Sequence, residues 1–269
     1  MRRKMLAAPY LVWMAVFVIV PLIMVAYFAF TDGDGNFTLQ YVAEVAQYSN
    51  IFVRSIWLAA IATVICLVIA YPLAFTLANM DLRVQGTMVM IVVLPMWMNF
   101  LLRTYAWMTL LGNEGIINTL LGYIGIGPFK MLNTQGAVVL GMVYDYLPFM
   151  ILPLYSVMVK IDKSVLEAAQ DLGCNSVKTM LRVIFPLSLP GVMSGITMVF
   201  VPAISTFIIS RMLGGGSNLL IGDLIEMQFL GNSYNPNLGA GISLVLMVII
   251  LLIMTLMNQF DLDDDRVLM

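Results

Sequence analysis

The sequence predicts an all-α polytopic membrane protein with six transmembrane helices, and three observations predict it. Of 269 residues, 61% are hydrophobic and 10% are charged, a balance far from that of soluble domains. The apolar residues gather into runs long enough to cross a hydrocarbon layer about 30 Å thick. The longest polar interruption, residues 160–190, sits between two such runs and must therefore face water.

The chain reads as one transmembrane domain, 1–269, with spans near 5–30, 51–79, 86–111, 137–159, 191–213 and 238–258. The first run follows Arg2, Arg3 and Lys4 and continues well beyond the apolar core of a signal peptide, so it reads as an uncleaved helix. Residues 31–40, with Gly33, Gly35 and two Asp, form a turn-rich connection to a short amphipathic stretch at 41–50. Pro72 lies near the far end of the second span, and residues 80–85 make a tight polar turn. The third span carries Pro95, Asn99, Arg103, Tyr105 and Trp107. Glycines interrupt residues 112–136 too often for a span, yet the segment is greasy enough to lie at the interface as short helical pieces. The fourth span holds Asp145 between Tyr144 and Tyr146, and the fifth holds Gly195 and Pro202, expected to kink or unwind it. The tail, 261–269, is short and acidic.

Orientation follows from the basic residues, which stay on the cytoplasmic side. With the N-terminus inside, that side holds nine: Arg2, Arg3, Lys4, Arg83, Lys160, Lys163, Lys178, Arg182 and Arg266. The other side holds four: Arg54, Arg103, Lys130 and Arg211. Both termini and the polar interruption are thus expected in the cytoplasm.

Composition also excludes functions. A net charge of -2 with no basic block argues against nucleic-acid binding. There is no histidine, which removes the commonest catalytic base and metal ligand, so neither an enzyme nor a metal site is expected. Cys66 lies in an apolar run and Cys174 in the polar interruption, too far apart in depth to pair. None of the five lysines stands in a phosphate-binding loop of the Gly-Lys-Ser/Thr type, so the chain cannot hydrolyse ATP alone.

The interruption reads as two short helices with a break between them. Ser164 and Glu167 fit a capping box, with Asp162 as the other candidate cap. Gly173 stands where the first helix needs a left-handed residue to stop, and Asn175 or Ser176 can cap a second helix running to Pro186. Such an elbow suits docking into a groove of another protein, while an ordinary polar loop is the plainer reading.

The pattern Glu167-Ala168-Ala169, three residues, Gly173, nine residues, then Val183-Ile184-Phe185-Pro186 resembles the signature loop of binding-protein-dependent ABC importer permeases. Val183 and Phe185 are conservative departures from that family's usual Ile and Leu. The resemblance implies the ABC importer permease fold, with the elbow as a coupling helix seated on an ATPase. It implies coupling roles for Glu167, Ala168, Ala169, Leu172, Gly173 and Pro186. It implies as partners a second homologous permease, two ATPase subunits that use the ATP and Mg, and an extracytoplasmic binding protein. No cofactor is expected in this chain, and its place would be the bacterial inner membrane, in contact with lipid. The segments Leu94-Pro95-Met96-Trp97, Arg103-Thr104-Tyr105-Ala106-Trp107 and Tyr146 to Tyr155 are similar to the spermidine/putrescine branch of the family. Permeases for an oxyanion, an iron chelate or a quaternary amine are the alternative within the class. An autonomous channel, a secondary transporter or a membrane scaffold lies outside it.

Charges inside spans are costly and mark a pathway or a partner. Asp145 flanked by Tyr144 and Tyr146 suits passage of a flexible polycation, by charge pairing and cation–π contact. Arg103, Tyr105 and Trp107 join that candidate pathway, and Asp223 and Glu226 extend it beyond the fifth span. The competing readings are that Asp145 pairs with Arg103 as a structural lock and that Asp223 and Glu226 are solvated loop charges.

Overall fold

In lipid the backbone must satisfy its own hydrogen bonds, and these apolar runs accordingly fold as helices. The computed structural model describes residues 8–216, 218–231 and 233–267. Arg2, Arg3 and Lys4, used above for orientation, lie outside the described residues. Among the described residues the only β-type pairing is a single bridge between Thr31 and Phe37.

Helix α1 runs over 8–29 as Ala8–Met14, a π turn Ala15–Ile19, and Val20–Ala29. Short α2, Gln40–Glu44, leads through a 3-10 turn, Val45–Tyr48, into α3, Ser49–Ala78. Next come α4 (Leu82–Val93), α5 (Phe100–Leu111), α6 (Ile116–Tyr123) and α7 (Gln135–Met158). The polar interruption forms α8 (Lys163–Asp171) and α9 (Ser176–Thr179), which passes through a π turn, Met180–Ile184, into α10 (Phe185–Ser205). Helices α11 (Ile208–Gly214), α12 (Ile221–Leu230) and α13 (Pro236–Val267) complete the chain.

Five segments are long and apolar enough to cross a membrane: Pro9–Ala29, Gln40–Ala78, Gln135–Met158, Met180–Ser205 and Pro236–Met257. The sixth candidate is a bent pair, Leu82–Trp97 and Phe100–Tyr123, inclined by 85°. This corrects the continuous helix expected over 86–111. Pro95 tightens the chain into a 3-10 turn, Met98 is extended, and Asn99 starts a new helix by accepting the amide of Leu101 at 2.9 Å.

The fifth span is also displaced. It was expected over 191–213, after the polar interruption, but the helix runs unbroken through Pro186 and Pro190 and ends at Ser205. The π turn 180–184 lies just before Pro186, and its wider backbone accommodates a proline ring that would otherwise strike the carbonyl of Arg182. The π turn in α1 stands in the same relation to Pro21.

The core is a three-helix pack of α3, α7 and α10, with α1 lying along α13. Helix α3 presents Ala59, Ala62, Cys66, Ala70 and Ala74, each fully buried, as a narrow stripe that lets backbones approach. Helix α10 answers with Gly191 and Gly195 against α7, where a Cβ on Gly195 would lie 2.6 Å from the sulfur of Met150. The hydroxyls of Tyr71 and Ser188 bond at 2.9 Å and pin α3 to α10. The amide of Ile221 donates to Ser55 Oγ at 2.9 Å, which ties the segment after α11 back to α3.

The glycine pressed closest against backbone is Gly222. A Cβ there would meet the backbone oxygens of Ser205 and Thr206 at 2.3 and 2.6 Å. Backbone cannot swing aside as a side chain does, so Gly222→Ala is expected to cost about 1–3 kcal/mol. A thermal melt of the purified protein checks it; an unchanged midpoint would show that the α10–α12 joint is slack.

Candidate functional site

Two regions bring polar groups together. The first is the seam between α5 and α7. Residue spacing puts Arg103 and Thr104 on the face of α5 that meets α7, and Asp145 at the middle of α7. Arg103 Nη1 stands 3.2 Å from Asp145 Oδ1, with the two side chains 8% and 3% exposed. An ion pair removed this far from water is held only where its remaining polar atoms are satisfied. Here they are not, because Arg103 Nε and Nη1 and Asp145 Oδ1 all lack a well-directed hydrogen bond. The guanidinium also lies 5.7 Å from the ring centre of Phe100.

The flanking aromatics divide. Trp107 packs edge-on against Tyr144 with ring centres 5.4 Å apart, beside the ion pair on the same seam. Tyr146 is buried and its hydroxyl donates to the Pro202 carbonyl of α10 at 3.4 Å. Tyr105 is exposed. Tyr144 and Tyr146 thus each engage a different element, α5 and α10. Successive residues on a helix point about 100° apart, so Tyr144, Asp145 and Tyr146 address different neighbours.

The second region joins α11 and α12. Arg211, 47% exposed, grips Glu226 through both guanidinium nitrogens Nη1 and Nη2, and its Nε lies 3.9 Å from Asp223 Oδ1. Asp223 is fully buried and caps α12, accepting the amide of Leu220 at 2.9 Å. Burial pushes its carboxyl above the ordinary range, while the Leu220 amide and Arg211 pull it back. The Arg211 side chain holds Glu226 below its ordinary value. Neither carboxylate is a free loop charge. Arg211 was missed as a site residue because its partners lie twelve and fifteen positions on, across a bend that no local pattern announces.

The elbow is built by backbone requirements. Asp162 Oδ1 accepts the Ser164 amide at 3.0 Å, so Asp162 is the cap and Lys163 begins the helix. Gly173 has φ +82°, and the Cys174 amide returns to the Ala169 carbonyl at 3.0 Å, closing the left-handed stop. Asn175 Oδ1 then accepts the Lys178 amide at 2.9 Å and starts α9. Glu167, Ala168 and Leu172 are exposed, Leu172 by 86%. Ala169 is 7% exposed and turns inward. The two alanines thus do not share a contact surface, again because neighbours on a helix diverge. The outward apolar stripe of α8 is instead Val165 and Ala168, continued by Leu172 just past its end, at i, i+3 and i+7. Pro186 is exposed at the start of α10.

The Ser164 amide holds the Asp162 carboxyl below the usual range, because only the ionised form accepts fully. A depressed carboxyl contributes above its unfolded value, about 3.9, and loses that contribution as pH falls through the lower folded value. Asp162→Ala is therefore expected to speed amide exchange at Ser164 and Val165 at neutral pH. The parent chain should show the same loss only in stronger acid. Equal exchange at pH 7 would dismiss the cap.

A bundle of apolar helices interrupted by a capped polar elbow and crossed by a buried ion pair defines a polytopic membrane protein. Residues 70–262 match the family described as binding-protein-dependent transport system inner membrane component, and the chain belongs to that family. It is 38% identical over 261 residues to the spermidine/putrescine transport system permease protein PotB of Haemophilus influenzae, covering 93% of this chain and 91% of that one. It is 36% identical over 247 residues to the PotB protein of Escherichia coli, covering 88% and 90%. Among solved structures it superposes, with a TM-score of 0.77 and 18% identity, on a chain of a bacterial ABC transporter involved in the import of the acidic polysaccharide alginate. The overlap covers 98% of this chain and 96% of that one. The fold is thus that of an ABC importer permease.

Proposed function

We propose that this chain is one permease subunit of an ATP-driven importer that moves polyamines of the spermidine and putrescine class. The observation that carries the reading is its likeness, along 93% of its length, to a protein named as a spermidine/putrescine permease. In this reading the chain is not an enzyme, and two separate ATPase subunits bind ATP and Mg. A binding protein delivers the solute on the outer side, a second homologous permease completes the pathway, and both termini and the elbow face the cytoplasm.

The geometry supports a route for a polycation at the α5–α7 seam. Asp145 is a buried carboxylate held by a single poorly aligned cation. A substrate ammonium is a point charge with three donors and can take over that carboxylate while Arg103 swings toward Phe100. The pair would open and reclose without leaving a bare charge in the apolar interior. Trp107 and Tyr144 lie where a passing ammonium can meet a ring face. Asp223 and Glu226, tied to Arg211, would meet the solute earlier on its way in.

At the elbow, Glu167 and the stripe of Val165, Ala168 and Leu172 would seat on an ATPase. Ala169 would fix the seat to the body, Gly173 would set its angle, and the continuous helix through Pro186 would carry the motion into α10. The test is labelled spermidine uptake into vesicles bearing the whole complex, with and without internal ATP. Phosphate, glycine betaine and an alginate oligosaccharide serve as competitors. ATP-dependent uptake insensitive to the competitors is expected. ATP-dependent uptake of another solute would remove the polyamine assignment, and uptake without ATP would remove the coupling role of the elbow.

A further inference from the structure

The polar pathway leaves one large concavity unused. A lateral groove of about 590 Å³ runs between α3 and α7, lined on α3 by Trp57, Leu58, Ile61, Ile65 and Ile69. Its α7 wall is formed by residues from Gln135 to Val143. The volume is that of a ligand site, commonly about 300–1,000 Å³. It opens sideways, since Trp57 and Ile69 remain 63% and 44% exposed.

Three features say what occupies it. The first is length. Trp57 to Ile69 spans about 18 Å of helix, and Gln135 to Val143 about 12 Å, at roughly 1.5 Å per residue. Both are close to one leaflet, about half of a 30 Å hydrocarbon core, whereas a partner helix would need a furrow of full thickness. The second is charge. Arg54 stands one turn above Trp57, and all five α3 lining residues fall within about 60° of it around the helix axis. Among the described residues the ion pairs engage Arg103 and Arg211, and Arg54 takes part in none. The third is depth. Tryptophan marks the interfacial level, and Gln135 and Gly136 open α7 at the same end, so the cation sits where a headgroup would lie.

We infer that this groove is a phospholipid site, at the end of the bundle opposite the elbow. One acyl chain would lie along Ile61, Ile65 and Ile69, and an anionic headgroup would be held by Arg54. The inference is independent of the transported solute and is read without any uptake measurement.

The experiment uses this chain purified together with its companion subunits and placed in nanodiscs. One set contains phosphatidylglycerol with a photoreactive diazirine on the acyl chain, the other phosphatidylcholine with the same chain. Adducts are expected to concentrate on residues 61–69 and 139–143, with phosphatidylglycerol captured preferentially. Arg54→Gln should reduce that capture by about fivefold, the worth of one basic side chain at an anionic surface. Ile65→Trp, which fills the groove while keeping an apolar side chain, should reduce capture of both lipids. Two results would overturn the inference: adducts spread evenly over all lipid-facing helices and indifferent to Arg54→Gln, or a photoreactive side chain placed at position 65 joining to the second permease.

Discussion

Replacing both members of the buried ion pair, Arg103→Met with Asp145→Leu, is expected to leave a folded, assembled protein that no longer moves spermidine. Each single replacement strands a charge in the bundle, which costs about 3–5 kcal/mol and confuses a transport defect with a folding defect. Exchanging the whole pair for apolar residues of similar volume is commonly neutral or stabilising, so the double variant separates the two. The observed pair invites that comparison because its atoms are buried yet poorly bonded. Uptake normalised to assembled complex should fall by at least about tenfold, equivalent to roughly 1.4 kcal/mol in the passage barrier. Asp145→Asn should show the same transport loss with weaker assembly. Wild-type uptake in the double variant would make the pair a lock between α5 and α7 and take Asp145 out of the pathway.

How much of this was legible in the sequence depended on the range of the interaction. The elbow could be read because its signals are local: Gly173 is required by a positive φ, and Asn175 by an uncapped amide two residues into the next helix. Even there, Asp162 and Ser164 offered equivalent signals, and only the position of the first helical residue chose Asp162. The pairing of Arg103 with Asp145 was legible across forty-two positions because two opposite charges in apolar runs have few other partners. The Arg211 cluster was not, because three charges in a connecting segment have water as an alternative.

The span errors have a similar origin. Hydropathy counts apolar residues and cannot see direction, so the bend of 85° at Met98 and Asn99 left no mark on it. Prolines misled in the opposite sense. Pro186 read as a boundary, whereas neighbouring helices and a π turn keep α10 continuous through it and through Pro190. The same continuity makes the elbow mechanically relevant, since α9 runs into α10 with no joint at which a displacement of α9 would be lost.

Glu167→Lys is accordingly expected to separate ATP hydrolysis from transport. Glu167 is exposed, so the substitution removes no buried contact and should leave folding and membrane insertion unchanged. At an interface the reversal turns a charge-assisted hydrogen bond into repulsion, an effect of several kcal/mol when like charges meet. ATP-dependent uptake should fall at least about a hundredfold, roughly 2.7 kcal/mol, while hydrolysis by the ATPase persists or loses its dependence on substrate. Leu172→Asp probes the apolar stripe of the same helix and should lower co-purification of the ATPase, because Leu172 is almost fully exposed and has no packing to lose within the chain. Ala169→Leu addresses the opposite face. Ala169 is buried on the inward side of α8, so the larger side chain should disturb the packing of the elbow and hence docking from behind. The three outcomes distinguish a docking helix from a solvated loop. A loop would tolerate Glu167→Lys and Leu172→Asp alike and respond only to Ala169→Leu, through folding. Normal uptake in Glu167→Lys would therefore end the coupling role, whatever the solute proves to be.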